Sequence, residues 1–450
     1  MTKLQHSLQL QYVNKKILIL GMGKEGMSTL NMLTSVFPTQ KMTIMDIDES
    51  LTFPMIDPNR IQIVKGKERF LTEIDQFDVI FKTPSITIHL PQLQSYLNSG
   101  GKITSQLNEF LRVYHSQTIG VTGTKGKSTT AAFIYQLLQQ ANKRTLLAGN
   151  MGIPPFEVER QIEDDTVVTL EMSSFQLQAV EFSPHWAIWL NIFPEHLNYH
   201  HSFELYAESK AKITRHQKSD DVIIFNQNDP LIRSYGQKSI ALQHPFISLN
   251  SLSDLEKMTG KKIQTELSDV FITQDLPAVL QLAKVLLIGP TEVVQTLTTF
   301  KPLPHRLEKI TTQSGVIFID DTLATIPEAA VAAINSFTAV NVILLGGFDR
   351  GIDYSRIVAE VIKKKIPTVI FFRPSGEKMK KILEENYPTD QQPQTFLVGT
   401  MEEAVKISYQ HCAKGDIALL SPASPSFGQF KDYQDKASQF RFWISALDHA

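Results

Sequence analysis

A glycine-rich segment at residues 120–130, Gly-Val-Thr-Gly-Thr-Lys-Gly-Lys-Ser-Thr-Thr, constrains this chain more than any other feature. It follows an apolar stretch and precedes an apolar-periodic one, which places it between a predicted strand and a predicted helix. Glycines let backbone N–H groups close on phosphate oxygens, Lys127 can reach the outer phosphates, and the Ser128 hydroxyl can bind Mg2+. The segment predicts a nucleoside triphosphate site of variant spacing, because Val121 stands where a strict P-loop has glycine.

The composition narrows the class of protein. A chain of 450 residues is long enough for two or three domains, and a formal charge of -2 gives no basic surplus for bulk nucleic-acid or anionic-membrane binding. Cys412 is the only cysteine, which excludes an intrachain disulfide and fits a reducing compartment. The apolar runs are too short to span a bilayer. We expect a cytoplasmic protein, a monomer, without nucleic-acid or membrane partners.

Alternating strand and helix patterns predict an α/β fold. Residues 16–46 read as strand, Gly-x-Gly-x-x-Gly turn, helix and strand, which is the opening of a Rossmann-like unit. Asp46, at the end of the second strand, could bind a ribose or cap the strand end, and the sequence favours neither. Two further α/β blocks begin near residues 118 and 302. We expect three domains, 1–112, 113–300 and 301–450: a Rossmann-like N-terminal domain, a central P-loop-type domain with a mostly parallel sheet, and a C-terminal Rossmann-like domain.

Polar residues follow several predicted strands, where parallel sheets present ligand-binding groups. Glu171 ends an apolar run and is either a Mg2+ ligand or a solvated carboxylate, while His196 could bind a second metal ion. Lys210, in a helical pattern, reads by itself as a surface lysine. His305 and Arg306 open the third block, and Arg306 could clamp a phosphoryl oxygen. The strand-end loops at 346–351 and 421–426 carry donors suited to a carboxylate.

Taken in order, these motifs resemble the Mur ligase family, the ATP-dependent amide-forming enzymes of peptidoglycan precursor synthesis, and within it the glutamate-adding branch. The similarity spans essentially the whole chain. The matching segments are 122–129, 149–154, 171–177, 191–196, 206–210, 303–306, 346–351 and 420–423.

The resemblance implies that the enzyme joins glutamate to UDP-N-acetylmuramoyl-L-alanine through an acyl phosphate, releasing ADP and phosphate. It assigns catalysis to Lys127, Glu171, His196, Lys210, His305 and Arg306, and ATP binding to Gly123, Thr124, Lys125, Gly126, Lys127, Ser128, Thr129, Arg306 and Asp321. It assigns substrate binding to Lys24, Glu25, Gly26, Asp46, Thr83, Asn150, Ser173, Thr325, Arg350, Ser426 and Tyr433. Ser128, Glu171, His196 and a CO2-derived carbamate on Lys210 would hold two Mg2+ ions.

The chain departs from the family pattern at two places that bear on substrate choice. Leu323 replaces a family lysine, and residues 273–277 occupy the place of an asparagine element that contacts ATP. We favour D-glutamate as the added amino acid, with an L-glutamate-adding subtype as the alternative. A ligase similar to folylpolyglutamate synthase and a non-catalytic nucleotide-binding regulator are further alternatives.

Overall fold

The structure is a computed structural model, and it describes residues 1–49, 57–151, 153–248, 252–265, 267, 271–300, 304–349, 353–426 and 428–448, without the side chains of Asn198 and Glu328. The chain forms two compact units, Met1–Phe300 and Lys301–Ala450. The α/β class with mostly parallel sheets, predicted from the sequence, is confirmed. Each of the three expected domains contains one sheet, and the expected boundaries stay predictions.

The first sheet has five parallel strands in the order β3-β2-β1-β4-β5, which is the Rossmann arrangement. Its strands are β1 (Ile17–Leu20), β2 (Met42–Asp46), β3 (Ile61–Lys65), β4 (Val79–Lys82) and β5 (Lys102–Thr104). The helices are α1 (Lys3–Tyr12), α2 (Lys24–Val36), α3 (Pro91–Asn98) and α4 (Gln106–Tyr114), with 3-10 turns at Ile74–Gln76 and His115–Gln117.

The second sheet has six parallel strands in the order β11-β10-β9-β6-β8-β7. They are β6 (Thr118–Thr122), β7 (Thr145–Gly149), β8 (Val167–Glu171), β9 (Trp186–Trp189), β10 (Val222–Asn226) and β11 (Leu242–Phe246). The helices are α5 (Lys127–Gln140), α6 (Pro155–Val158), α7 (Ser174–Leu177), α8 (Leu197–His200), α9 (Phe203–Arg215), α10 (Pro230–Lys238), α11 (Leu252–Thr259), α12 (Leu276–Val285) and α13 (Pro290–Thr299), with a 3-10 turn at Glu159–Gln161 and a π-helical turn at Phe271–Asp275.

The third sheet lies in the C-terminal unit, in the order β12-β13-β17-β14-β15-β16, and only the pairing of β12 with β13 is antiparallel. Its strands are β12 (Glu308–Thr311), β13 (Ile317–Asp320), β14 (Val342–Gly346), β15 (Thr368–Phe372), β16 (Gln394–Val398) and β17 (Ile417–Leu420). The helices are α14 (Pro327–Asn335), α15 (Ser355–Lys363), α16 (Ser375–Asn386), α17 (Met401–Gln410) and α18 (Tyr433–Asp448), with a 3-10 turn at Thr389–Gln391.

One hydrophobic core connects the first two sheets. It includes Ile19 and Phe110 on one side and Leu170 and Trp189 on the other, all nearly inaccessible to solvent. This shared core explains why residues up to Phe300 behave as one compact unit. None of the helices that the structure describes has the length and apolar character that a membrane span requires.

Candidate active site

The glycine-rich segment forms the expected turn between β6 and α5. Gly126 precedes the helix with φ +81°, a backbone conformation that glycine adopts without strain. The turn is held from outside by Asn191, whose Oδ1 accepts hydrogen bonds from Thr124 N at 3.0 Å and Lys125 N at 2.9 Å. Lys127 donates from Nζ to the Thr124 carbonyl oxygen at 3.0 Å. The loop is thus preorganised at the N-terminus of a long helix, which favours anion binding.

Three predicted site residues meet beside this loop. Ser128 donates from Oγ to Glu171 Oε2 at 2.6 Å, and Asn150 donates from Nδ2 to Glu171 Oε1 at 2.9 Å. The three residues follow or end the adjacent strands β6, β8 and β7, so the parallel sheet itself brings them together. Glu171 is buried, which decides against the solvated-carboxylate interpretation. A hydroxyl, a carboxylate and an amide oxygen are ligands that suit Mg2+.

Lys210 is buried, with 1% of its surface exposed. The interpretation as a surface lysine, which the helical pattern alone favoured, is therefore wrong. Its Nζ donates to the Gly123 carbonyl oxygen at 2.7 Å and lies 4.8 Å from the centre of the Tyr206 ring. Burial, reinforced by the positive charge of Lys127, lowers the pKa of Lys210 well below its ordinary value. An amine of this kind is neutral over a wider pH range and is more nucleophilic than an exposed lysine.

His196 lies at the start of α8 with φ +57°, and Glu195 lies between it and the glycine-rich loop. Its Nε2 is 3.8 Å from Glu195 Oε2, and Glu195 Oε1 accepts from Lys125 Nζ at 2.6 Å. Burial raises the pKa of the Glu195 carboxyl, but the hydrogen bond and charge of Lys125, together with the charges of His196 and Lys127, outweigh it and lower that pKa. A chain of polar side chains, His196, Glu195 and Lys125, therefore leads to the glycine-rich loop.

Asp275 is a site residue that the sequence interpretation missed. It is 4% exposed, ends the π-helical turn before α12, and lies against Gly126 so closely that a Cβ on Gly126 would be 2.2 Å from Asp275 Oδ2. Burial raises the pKa of Asp275 to about 7, and the charge of Lys127 acts in the opposite direction. The sequence marks Asp275 only by its place in the chain, since it lies in residues 273–277, which replace the asparagine element that contacts ATP in the family.

The turn of the first sheet has the tight geometry expected of a phosphate-binding loop. A Cβ on Gly26 would be 2.1 Å from the Gly21 carbonyl oxygen, so only glycine fits there. Thr83 donates from Oγ1 to the Leu20 carbonyl oxygen at 3.0 Å. Asp46 accepts from Met22 N at 2.7 Å, which fixes the turn. This contact matches the structural interpretation of Asp46, and its ribose role stays a prediction.

A polar contact connects this turn to the central sheet. Glu25, the neighbour of the exposed Lys24 on α2, accepts from Gln176 Nε2 at 2.5 Å. Desolvation raises the pKa of Glu25 to about 7. Ser173 accepts from Gln176 N at 3.3 Å and caps α7. The residues expected to bind the uridine part and the muramoyl part of a substrate are thus adjacent in this unit.

In the C-terminal unit, His305 is oriented by a buried carboxylate. Its Nδ1 is 2.8 Å from Asp320 Oδ2, and its backbone N donates to Glu308 Oε2 at 2.9 Å. These three side chains have metal-ligand spacing. However, the Arg441 guanidinium pairs with both carboxylates, at 3.2 Å from Asp320. The cluster is therefore an ion-pair network that positions His305.

The other predicted residues of this unit follow neighbouring strands. Asp321 accepts from Ser421 Oγ at 2.7 Å, and burial raises its pKa to about 7 against the opposing charge of Arg306. Ser426 has a buried hydroxyl without a hydrogen-bond partner among the described residues. The Tyr433 ring lies 6.1 Å from that of His305. Thr325 donates from N to the Leu323 carbonyl oxygen at 2.9 Å. Arg350 lies outside the described residues.

Comparison with known proteins identifies the family of this chain. The family models described as "Mur ligase middle domain" and "Mur ligase, glutamate ligase domain" match residues 121–294 and 305–424. A UDP-N-acetylmuramoylalanine–D-glutamate ligase of Clostridium botulinum (strain 657 / Type Ba4) is 30% identical over 400 residues, covering 86% of this chain and 86% of that protein. The chain belongs to the Mur ligase family. The expected similarity to MurD, the glutamate-adding member, is confirmed, and so is the class of ATP-dependent amide ligases.

Solved structures support the fold. The UDP-N-acetylmuramate–alanine ligase MurC of Thermotoga maritima aligns with a TM-score of 0.53 at 18% identity, covering 96% of this chain and 100% of that one. The MurF ligase of Thermotoga maritima, solved in complex with ADP, aligns with a TM-score of 0.51 at 15% identity, covering 97% of this chain and 96% of that one. At these identities the likeness establishes the multi-domain α/β architecture of Mur ligases.

Proposed function

We propose that this Mur ligase joins D-glutamate to UDP-N-acetylmuramoyl-L-alanine, with ATP as the energy source. The observation that carries the proposal is the Ser128–Glu171–Asn150 contact at the N-terminus of α5, beside the buried Lys210. It combines an anion-binding helix end, oxygen ligands for a metal and an amide donor for a substrate in one place. The named relative from Clostridium botulinum supports the choice of substrates.

The first step activates the substrate carboxylate. One of its oxygens attacks the γ-phosphorus of ATP, and the bond from that phosphorus to the β,γ-bridging oxygen breaks to release ADP. The product is an acyl phosphate. Lys127 and the backbone N–H groups at the N-terminus of α5 hold the phosphates, and Arg306 is assigned to the charge of the transferred group. Activation is necessary because a free carboxylate resists attack by an amine.

Mg2+ fits the residues present, since Ser128 and Glu171 offer oxygen atoms beside the loop and His196 offers a nitrogen. When bound, Mg2+ would neutralise phosphate charge. Lys210 suits the carbamate that the resemblance implies. Its lowered pKa favours the neutral amine, which adds to CO2 and loses a proton, leaving an anion that could help to hold a second ion.

In the second step the amine of glutamate attacks the acyl phosphate and displaces phosphate through a tetrahedral intermediate. The C-terminal unit supplies the acid-binding groups in this proposal. Among the described residues the buried hydroxyl of Ser426 has no hydrogen-bond partner, which fits a residue that binds a ligand oxygen. Asp321 and Thr325 follow β13, whereas His305 precedes β12 and Tyr433 begins α18. We place the reaction in the cytoplasm, where ATP and nucleotide-linked precursors are available.

A direct assay tests the proposal. The protein is incubated with UDP-N-acetylmuramoyl-L-alanine, ATP and Mg2+, with each glutamate enantiomer in turn, and the product is identified by mass. We expect a product with D-glutamate and phosphate release that requires all three substrates. A product with L-glutamate alone would support the alternative subtype that Leu323 suggests. Tight ATP binding without any product would refute an enzymatic function and favour the non-catalytic nucleotide-binding regulator. Glutamylation of a folate would favour a ligase similar to folylpolyglutamate synthase.

A further inference from the structure

The C-terminal unit contains a buried lysine that the proposed function does not use. Lys436, in the first turns of α18, has no exposed surface, and among the described residues of this unit no other lysine or arginine is fully buried. Desolvation lowers the pKa of Lys436 to about 7. Burying an ammonium group is costly unless a partner compensates. A group of this kind requires an explanation beyond packing.

The ammonium lies against the two strand-end loops that carry donors for a carboxylate. Its Nζ donates to the Gly346 carbonyl oxygen at 2.8 Å and lies 4.8 Å and 5.1 Å from the centres of the Phe372 and Phe430 rings. A Cβ on Gly347 would be 2.2 Å from the Pro425 carbonyl oxygen and 3.6 Å from Lys436 Nζ. The lysine therefore lies where the 346–349 loop and the 421–426 loop meet.

Hydrogen bonds join the same two loops around it. Gly347 N donates to Ser375 Oγ at 2.9 Å, and Ser375 Oγ donates to Ser424 Oγ at 2.8 Å. Phe348 N donates to the Pro425 carbonyl oxygen at 2.8 Å. All of these partners are neutral. Lys436 is thus the charged member of an otherwise neutral junction between the loops.

Two observations indicate that the missing partner is an anionic ligand. No carboxylate pairs with Lys436 within the part of the chain that the structure describes, although the ammonium has two further protons to donate. In the 421–426 loop, which lies against Lys436, the Ser426 hydroxyl is also buried and has no hydrogen-bond partner among the described residues. Tyr433, expected to contact the incoming amino acid, is one helical turn before Lys436 in α18.

We propose that Lys436 is a specificity-determining and positioning residue. Its buried amine, protonated when a carboxylate binds beside it, supplies the positive charge that makes the C-terminal unit prefer an amino acid with a second carboxylate, and its bond to Gly346 holds the acid-binding loops together. The inference rests on the proposed addition of glutamate.

The test compares glutamate with its γ-methyl ester, which has nearly the same shape but lacks the second charge. In Lys436→Met we expect kcat/KM for glutamate to fall about tenfold or more, by loss of a charge interaction worth at least RT ln 10, while kcat/KM for the ester falls much less and the KM for ATP stays unchanged. Lys436→Arg, which keeps the charge, should retain the preference for glutamate. Lys406→Met, the control, removes an exposed lysine of α17 and should leave kcat/KM unchanged for both glutamate and the ester.

Equal losses for glutamate and the ester would mean that Lys436 acts only on structure, and unchanged kinetics would mean that it has no role; either result overturns the proposal. If the methionine variant does not fold, NMR of the wild type with 13C-labelled lysine decides instead. The Lys436 signal, assigned by its absence from the spectrum of Lys436→Arg, should shift on addition of glutamate but not of the ester, and a Lys436 signal that does not change with glutamate overturns the proposal. A wild type that makes no product with glutamate would refute the proposed function itself.

Discussion

Replacing Gly126 by alanine tests how the nucleotide loop is built. Gly126 has φ +81°, and an added Cβ would be 2.2 Å from Asp275 Oδ2 and 2.8 Å from its Cγ. The Asp275 side chain is short and almost fully buried, so the whole carboxylate would have to move together with the start of α12. The substitution therefore combines backbone strain with a steric collision inside the site.

The two effects can be separated. A left-handed backbone costs a residue with a Cβ about 1–2 kcal/mol, and overpacking a filled site costs a further ~1–3 kcal/mol. Gly260 provides the matched control, because it has φ +65° and nothing lies within 4 Å of its added Cβ. We expect Gly260→Ala to show only the strain, whereas Gly126→Ala should show both effects and should raise the KM for ATP about tenfold or more.

The free energy of unfolding from urea titration and the KM for ATP give the two readouts. The double variant Gly126→Ala/Asp275→Ala removes the colliding carboxylate and should recover a large part of the ATP affinity, with a positive coupling between the two sites. A Gly126→Ala protein that matches Gly260→Ala in both measurements would show that Asp275 does not constrain the loop.

Three further outcomes follow from the same contacts. Ser128→Ala should lower kcat about a hundredfold, because it removes a predicted metal ligand and the donor to a buried carboxylate. Thr130→Val is the control: its hydroxyl has no partner among the described residues, so kcat should stay unchanged. Lys210→Ala should lose activity and regain part of it with acetate or propionate in solution, whereas Lys212→Ala should respond to neither acid; a fully active Lys210→Ala protein refutes the carbamate. Burial lowers the pKa of Lys82 to about 7, so the unfolded state binds more protons between pH 7 and the ordinary lysine value of 10.5. The free energy of unfolding of the wild type, relative to that of Lys82→Met, should then rise by up to a few kcal/mol as the pH increases through this window. Urea titrations at several pH values measure it, and a difference between the two proteins that does not change with pH would contradict the prediction.

Local sequence patterns were sufficient for the sheet and for the residues at its carboxyl edge. The apolar runs before the glycine-rich segment and up to Glu171 predicted strands, and they form β6 and β8 in the structure. Parallel pairing then forces Ser128, Asn150 and Glu171 to one edge, so their contact follows from topology alone. The turn at Gly21–Gly26 was equally predictable from its glycine pattern, and at Gly26 the reason is a close backbone approach, since a Cβ there would be 2.1 Å from the Gly21 carbonyl oxygen.

Burial and long-range contacts were not predictable in this way. The helical pattern of α9 does not say which face packs inward, and the carbonyl that binds Lys210 lies 87 residues earlier in the chain. Asp275 reaches Gly126 only because a π-helical turn places it there. The sequence pattern makes Lys436 an ordinary helix lysine, and only the structure shows that it is buried against the 346–349 and 421–426 loops. Each of these groups has a pKa shifted by desolvation, which no local pattern records.

The transfer of oxygen from substrate to phosphate tests the central proposal most directly. UDP-N-acetylmuramoyl-L-alanine with 18O in its alanyl carboxylate is incubated with ATP, Mg2+ and D-glutamate, and the released phosphate is analysed by mass spectrometry. Activation as an acyl phosphate predicts that each phosphate released carries one oxygen from the substrate carboxylate. Phosphate without the label, formed together with the amide product, would contradict the account.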